Sequence, residues 1–338
     1  MISKTVDMDL SIIIPVYNVE KFVRTCIESV FQQDLDENRY EVIIVNDGTQ
    51  DRSMETIADI ILKHSNVTVV NQENQGLSVA RNNGIIKARG EYLLMLDSDD
   101  LLCANSINPL LAIALETNAD IVHADYKQMS NEEIERYVNN HEDAKIKTAP
   151  VQITTGEDFL YEQYCRNVWR YMYKRNFILR NNISFIPGII SQDVPFANEC
   201  FLKAKKCAKV QLPLTIYRWG NPSQATTSFT VKKAKNLCIA IQRIWSFTKL
   251  ANLSPSSKTK QEDIVFAYFF RLISATTYGH IKEEAQRLEI IDYMRELEPG
   301  LNFHNNLKQE IWSWLYHNMP HTMIRMFGLL TKIRKKFL

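Results

Sequence analysis

The chain opens with short apolar runs separated by helically spaced ones. Leu10 to Ile14, Tyr40 to Val45, Val67 to Val70 and Tyr92 to Leu96 are rich in Ile, Val and Leu and have the length of buried strands. Pro15 is expected to close the first, because it cannot donate to an interior ladder. Between the runs the apolar period becomes helical. Phe22, Cys26, Ile27 and Val30 share one face, with Asn18 as the cap, and Ile57, Ile60 and Ile61 share another. A helix over 78–89 follows, with Gly90 suited to its left-handed C-terminal position. This alternation predicts an α/β fold with a mainly parallel central sheet, flanking helices and right-handed crossovers. The polar turns Pro15-Val16-Tyr17-Asn18, Asn46-Asp47-Gly48 and Asp97-Ser98-Asp99-Asp100 each follow a strand, so they open together on one edge.

After a helix over 107–116 and a strand over 120–124 the pattern weakens. Residues 127–150 are polar and poorly periodic, which predicts an exposed hairpin or mobile insertion with His141 solvated in it. Thr155-Gly156-Glu157-Asp158 reads as a capping box opening a helix through Tyr164. Asp193 stands before a helical face of Phe196, Cys200 and Ala204, where it suits an N-cap ahead of Pro195. Two strands, 209–212 and 214–218, lead into a turn-rich flexible loop over 219–223. From about residue 231 the spacing is helical, with a break at 253–258.

Composition narrows the function classes. The 338 residues carry a formal net charge of +1, so no global field favours nucleic acid. Six scattered cysteines form no CxxC pair, which argues against structural zinc or a disulfide framework and fits a reducing cytosol. No signal-like core and no bilayer-length apolar run appear, so a cytoplasmic location is expected. From Ile311 onward there is no acidic residue. Trp312, Trp314 and Tyr316, then Met323, Met326, Phe327, Leu330 and Ile333, alternate there with Arg325, Lys332, Arg334, Lys335 and Lys336. Such a segment suits either the anionic inner face of a membrane or a packed helix with a solvated basic side. A homo-oligomer is compatible with all of this.

The chemistry concentrates where the run Tyr92 to Leu96 ends in Asp97, Asp99 and Asp100. Carboxylates at the C-terminal edge of a parallel strand, presented to solvent, can hold a hard divalent cation that bridges a phosphate. The plainer alternative is a strand end capping the next helix.

Taken together, Ser11 to Asn18, Val45 to Asp51, Asn74 to Asn82 and Asp97 to Asp100 closely resemble the inverting family 2 glycosyltransferases. The resemblance is sharp over 10–125, weaker to about 228 and absent beyond. It implies a GT-A, Rossmann-like fold with a 1–230 catalytic domain, split into a 1–125 nucleotide-sugar half and a 126–230 acceptor half, and an α-helical C-terminal region, 231–338. It further implies a UDP-sugar or other nucleotide-sugar donor, Mg2+ or Mn2+, and a glycan or lipid-linked saccharide as acceptor. By the same resemblance Asp99 is the metal ligand, Asp97 meets the ribose or assists the metal, and Asp100 faces the sugar or acceptor. Asp47 accepts from the base, with Tyr17 packed on it and Arg81 beside it. Pro15, Asn18 and Ser98 belong to the same donor-binding motifs, and Gly76 lets backbone approach the donor. Asp193 stands where the family carries its general base, with Gln192 in place of a first acid. Trp169 and Tyr171 fall on the acceptor side, where a lysine is common at the Tyr171 position. Arg218 and Ser223 fall where the family has a mobile loop over the diphosphate. Thr49-Gln50 replaces the usual Ser-Thr before Asp51. An inactive member acting as a nucleotide-sugar sensor or scaffold is the alternative from another class. A sugar nucleotidyltransferase is disfavoured because Ser11 to Asn18 lacks the glycine-rich phosphate loop.

Overall fold

A computed structural model describes residues 8–139, 150–161, 167–220, 229–250, 253–277, 281 and 283–336. The strands are β1 (Leu10–Val16), β2 (Tyr40–Asp47), β3 (Val67–Gln72), β4 (Tyr92–Met95), β5 (Leu101–Leu102), β6 (Ile121–Met129), β7 (Val151–Thr154), β8 (Tyr171–Lys174) and β9 (Cys207–Arg218). They form one sheet in the order β3-β2-β1-β4-β8-β6-β9-β5, with β7 also paired to β9. The first four neighbours are all parallel, as expected. The other half is mixed, because β8 runs antiparallel between β4 and β6, while β5 and β7 run antiparallel to β9.

Pro15 does not end β1, which continues to Val16 opposite Asn46. The carbonyl of Ile13 accepts from Leu96 N, so Pro15, two residues on, turns its missing donor to the same side. The β1–β4 register has already stopped at Ile13, so no ladder bond is lost there. Similarly, Pro213 does not split the last strand: β9 is continuous, and the register of β6 shifts where Asp125 faces Pro213.

Three helical expectations change. Asn18 is not a cap; it sits at φ 52°, and the helix Val23–Phe31 starts beyond it without a side-chain cap. Gly90 is not left-handed. A Cβ there would lie 2.5 Å from the Leu10 carbonyl carbon and Ser11 N, so glycine is needed for close approach to β1. The segment expected as an exposed hairpin or insertion extends β6 to Met129 and then forms the helix Asn131–Asn139, anchored by buried Ile134. His141 and the end of the helix expected to reach Tyr164 lie outside the described residues. The capping box at Thr155 is present: Asp158 N donates to Thr155 Oγ1, and Thr155 N donates to Asp158 Oδ2.

The chain divides into two compact units. The sheet belongs to the first, Met1–Phe159, Tyr164–Gly188 and Cys200–Asn221; the second is Leu160–Gln163, Ile189–Glu199 and Pro222–Leu338. The second unit thus takes in Ile189–Glu199, ahead of the boundary expected near residue 230. Helices Val231–Ser246, Pro255–Thr277, Glu284–Leu297, Leu307–Asn318 and Pro320–Lys336 pack there around Phe269, Phe303 and Tyr316, with Phe303 5.1 Å from Phe266 and 5.5 Å from Phe269. Among the described residues no helix is long and apolar enough to cross a membrane.

Candidate active site

The first unit presents an acidic loop where β4 ends. Buried Tyr92, Leu93, Leu94 and Met95 fix the strand in the sheet, and Asp97, Ser98, Asp99 and Asp100 follow it as a turn closed by Asp100 N donating to Asp97 O. The three carboxylates are not equally presented to solvent. Asp97 keeps 27% of its side chain exposed and pairs through Oδ1 with Arg81 Nη2 at 2.5 Å. Arg81 is itself buried, with its guanidinium 5.3 Å above the Phe185 ring. Asp100 turns inward: it is 1% exposed, and its Oδ1 accepts from Arg218 N at 2.8 Å. Burial, and then the Asp97 charge, pushes Asp99 up to about 6. Burial, followed by Asp99 and Asp97, raises Asp100 well above the usual carboxylate range.

Arg218 is the last residue of β9, buried, and not part of an open loop. Its Nε donates to Asp99 O at 2.7 Å, its Nη1 donates to Asn131 Oδ1 at 2.7 Å, and its guanidinium lies 4.7 Å over Phe22. It therefore ties the acidic turn to the helix Asn131–Asn139. Ser223 lies outside the described residues. Asn131 and Phe22 are members of this arrangement that no chemical motif marks. The capping pair Ser130 and Glu133, realised by Ser130 N to Glu133 Oε2 at 2.7 Å, is the sequence signal that locates the helix.

The turns after β1 and β2 lock to one another. Asn18 N donates to Thr49 Oγ1, Gln50 N donates to Asn18 Oδ1, and Asp51 collects Thr49 Oγ1, Ser53 N and Glu20 N. Thr49 thus supplies the hydroxyl that a serine would. Pro15 is buried beneath, and Tyr17 stands 40% exposed at the end of β1. Asp47 is buried, and its carboxylate is occupied by the next turn: Oδ1 accepts from Gln72 Nε2 and Gln75 N, and Oδ2 accepts from Gly76 N. Gly76 sits at φ 86°, with nothing within 4 Å of where a Cβ would be. Asn82 clamps the segment under Arg81 by bonding both N and O of Phe185.

On the acceptor side Trp169 is buried and stacked 5.7 Å from Tyr217. Tyr171 is fully buried among His123, Phe159, Phe201 and Tyr173, so its ring is core and not an exposed contact surface. Asp193 opens the helix Asp193–Lys203 and belongs to the second unit, whereas the acidic loop, Arg81 and Arg218 share the first.

The donor set suits a hard cation held partly by substrate. Among the described residues no three ligating side chains converge to hold an ion on their own. Mg2+ and Mn2+ commonly take one or two carboxylates, with water and phosphate oxygens completing the shell. Asp99, with Asp97 beside it in one turn, provides that number of hard oxygen donors.

The acidic turn stands at the C-terminal edge of the parallel strands, the edge on which the turns after β1 and β2 also open and where open α/β sheets gather ligands. Residues 11–189, more than half the chain, match the model of Glycosyl transferase family 2, and the chain belongs to that family. An uncharacterized glycosyltransferase, EpsJ of Bacillus subtilis (strain 168), is 34% identical over 218 residues, covering 64% of this chain and 62% of EpsJ. The match thus spans about three fifths of that relative's length. The crystal structure of S. aureus TarS 1–349 has the same fold, with a TM-score of 0.72 at 19% identity over 98% of this chain and 92% of that one. Its complex with UDP-GlcNAc scores 0.70 at 18% identity, covering 96% and 89% of the two chains. A mannosyltransferase from Pyrobaculum calidifontis, solved with GDP-Man and Mn2+, scores 0.53 at 15% identity over 96% and 86%.

Proposed function

We propose that the chain is an inverting glycosyltransferase that moves a sugar from a UDP-sugar to a hydroxyl of a glycan or lipid-linked saccharide at the cytoplasmic membrane face. The acidic turn Asp97–Asp100 at the edge of the parallel strands, in a family 2 chain, is the observation that carries this reading. The UDP-GlcNAc and Mn2+ complexes of the fold neighbours support the donor class and the metal.

In this reading Tyr17 stacks on the base, and Asp47 with Gly76 shapes the turn that receives it. Arg81 pairs with Asp97 and orients it toward the ribose, and Asp99, assisted by Asp97, would hold the metal. A bound Mg2+ or Mn2+ supplies charge stabilisation to the departing diphosphate. Arg218 and Asp100 keep the turn in shape. Asp193 accepts the proton of the attacking hydroxyl as the bond to the anomeric carbon forms from the face opposite the diphosphate.

A panel of nucleotide sugars, assayed for hydrolysis and for transfer to cell-derived lipid fractions with and without Mn2+, tests it. Asp193→Asn should lower transfer by roughly 10²–10⁴-fold while UDP still binds. UDP binding with no transfer to any fraction would instead mark an inactive sensor or scaffold.

A further inference from the structure

The helix Leu307–Asn318 presents to solvent a mainly apolar stripe, interrupted by exposed Glu310. Leu307, Ile311 and Trp314 are 72%, 50% and 55% exposed and recur at helical spacing on one face, while Gln309, Ser313 and Tyr316 are buried on the other. Met319, which follows directly, is 40% exposed. Isolated exposed apolar side chains are ordinary, but three on successive turns, one of them tryptophan, make a patch.

The following helix, Pro320–Lys336, turns its described apolar side chains largely inward, with Met326 50% exposed. Met323, Ile324 and Phe327 are buried, with Phe327 5.4 Å from both Trp312 and Phe270. Its contribution is charge. Residues 311–338 contain no Asp or Glu and carry Lys332, Arg334, Lys335 and Lys336, besides Arg325, which pairs with Glu284. Lys308, beside the stripe, adds a cation 4.7 Å over Phe270. A second copy docked symmetrically on the stripe would bring two acid-free basic segments together, which like-charge repulsion opposes. An anionic bilayer has the complementary sign, and its headgroup layer is where indole rings settle.

We propose that Leu307, Ile311 and Trp314 form a bilayer-contact stripe that seats in the headgroup layer of an anionic lipid surface, with the acid-free segment 311–338 supplying the attraction. This deepens the lipid-linked acceptor reading, on which its purpose rests, but the contact itself needs no catalysis.

The test is co-sedimentation of the full chain with vesicles of phosphatidylcholine alone or mixed equally with phosphatidylglycerol, at low and raised salt. The unaltered chain should bind the anionic vesicles and lose most of that binding in salt. Leu307→Ser/Ile311→Ser/Trp314→Ser should weaken partitioning about tenfold or more. The matched control Leu62→Ser/Ile86→Ser, at two exposed positions of the first unit, should not change it. Lys332→Gln/Arg334→Gln/Lys335→Gln/Lys336→Gln should weaken binding to anionic vesicles only. Absence of vesicle binding, equal binding to both lipid mixtures, or an unchanged partition for the stripe variant overturns the proposal. So does a concentration-dependent dimer that the stripe variant abolishes. Donor hydrolysis without lipid should be the same for stripe variant and unaltered chain. Vesicle binding without any transfer would sink the enzyme reading and leave the surface standing.

Discussion

The three aspartates of the acidic turn have different fates because each meets a different neighbour. Asp97 faces buried Arg81, so Asp97→Asn removes a paired carboxylate from a guanidinium that is 1% exposed. The expected cost is about 3 kcal/mol, read as a lowered urea midpoint. Asp99 behaves in the opposite sense. Its folded value of about 6 lies above its ordinary value of 3.8, so between these limits the folded chain keeps a proton that the unfolded chain releases. Its contribution to stability is therefore present at low pH and is lost as pH rises from roughly 4 through 6. Urea midpoints measured across that window should show the decline, and Asp99→Asn should lessen it, leaving the part that Asp100, also raised, contributes. The residue types at this site are legible in the sequence, but their directions are not. Nothing in Asp-Ser-Asp-Asp tells that Asp100 turns inward to Arg218, a partner 118 residues away.

At the scale of elements, periodicity is informative where one face is buried and unreliable where it is not. Of the first four strands, β1, β2 and β4 read cleanly because each is a mostly apolar, buried run, whereas β3 is only half-buried and reads through Val67, Val69 and Val70. The helix Asn131–Asn139 is obscured because Ile134 alone carries its buried face, although its capping pair is in plain view. The strand β9 reads as two because proline normally breaks a ladder, and only the register shift of β6 reveals why it does not. Gly90 gives a sharp test of element packing. Gly90→Ala should cost about 3 kcal/mol, since its Cβ would meet the backbone of β1 at 2.5 Å rather than a side chain that can yield. A thermal shift below about 2 °C would show that the backbone gives way.

At the scale of the whole molecule each of the two units has its own buried centre, and the sequence indicates that of the second only as a helical stretch. Its aromatic centre, Phe266, Phe269, Phe303 and Tyr316, lies wholly within the second unit. Phe303→Ala should cost that unit about 4 kcal/mol. Hydrogen exchange should then quicken in Pro255–Thr277 and Leu307–Asn318 while β1 and β2 stay protected. Equal quickening in the sheet would mean that the two units unfold as one. The assignment of Asp193 to the second unit and the acidic turn to the first is likewise invisible in a linear motif.

The interleaved strand order bears on synthesis. β4 carries the acidic turn, and its second neighbour is β8, where Tyr92 faces Lys174. A ribosome adding about 5–20 residues each second leaves β4 with an open edge for several seconds before β8 emerges. The apolar strand beneath the candidate site is thus an exposed template for wrong pairing in the nascent chain, and slowed translation between residues 96 and 171 should lower the soluble yield.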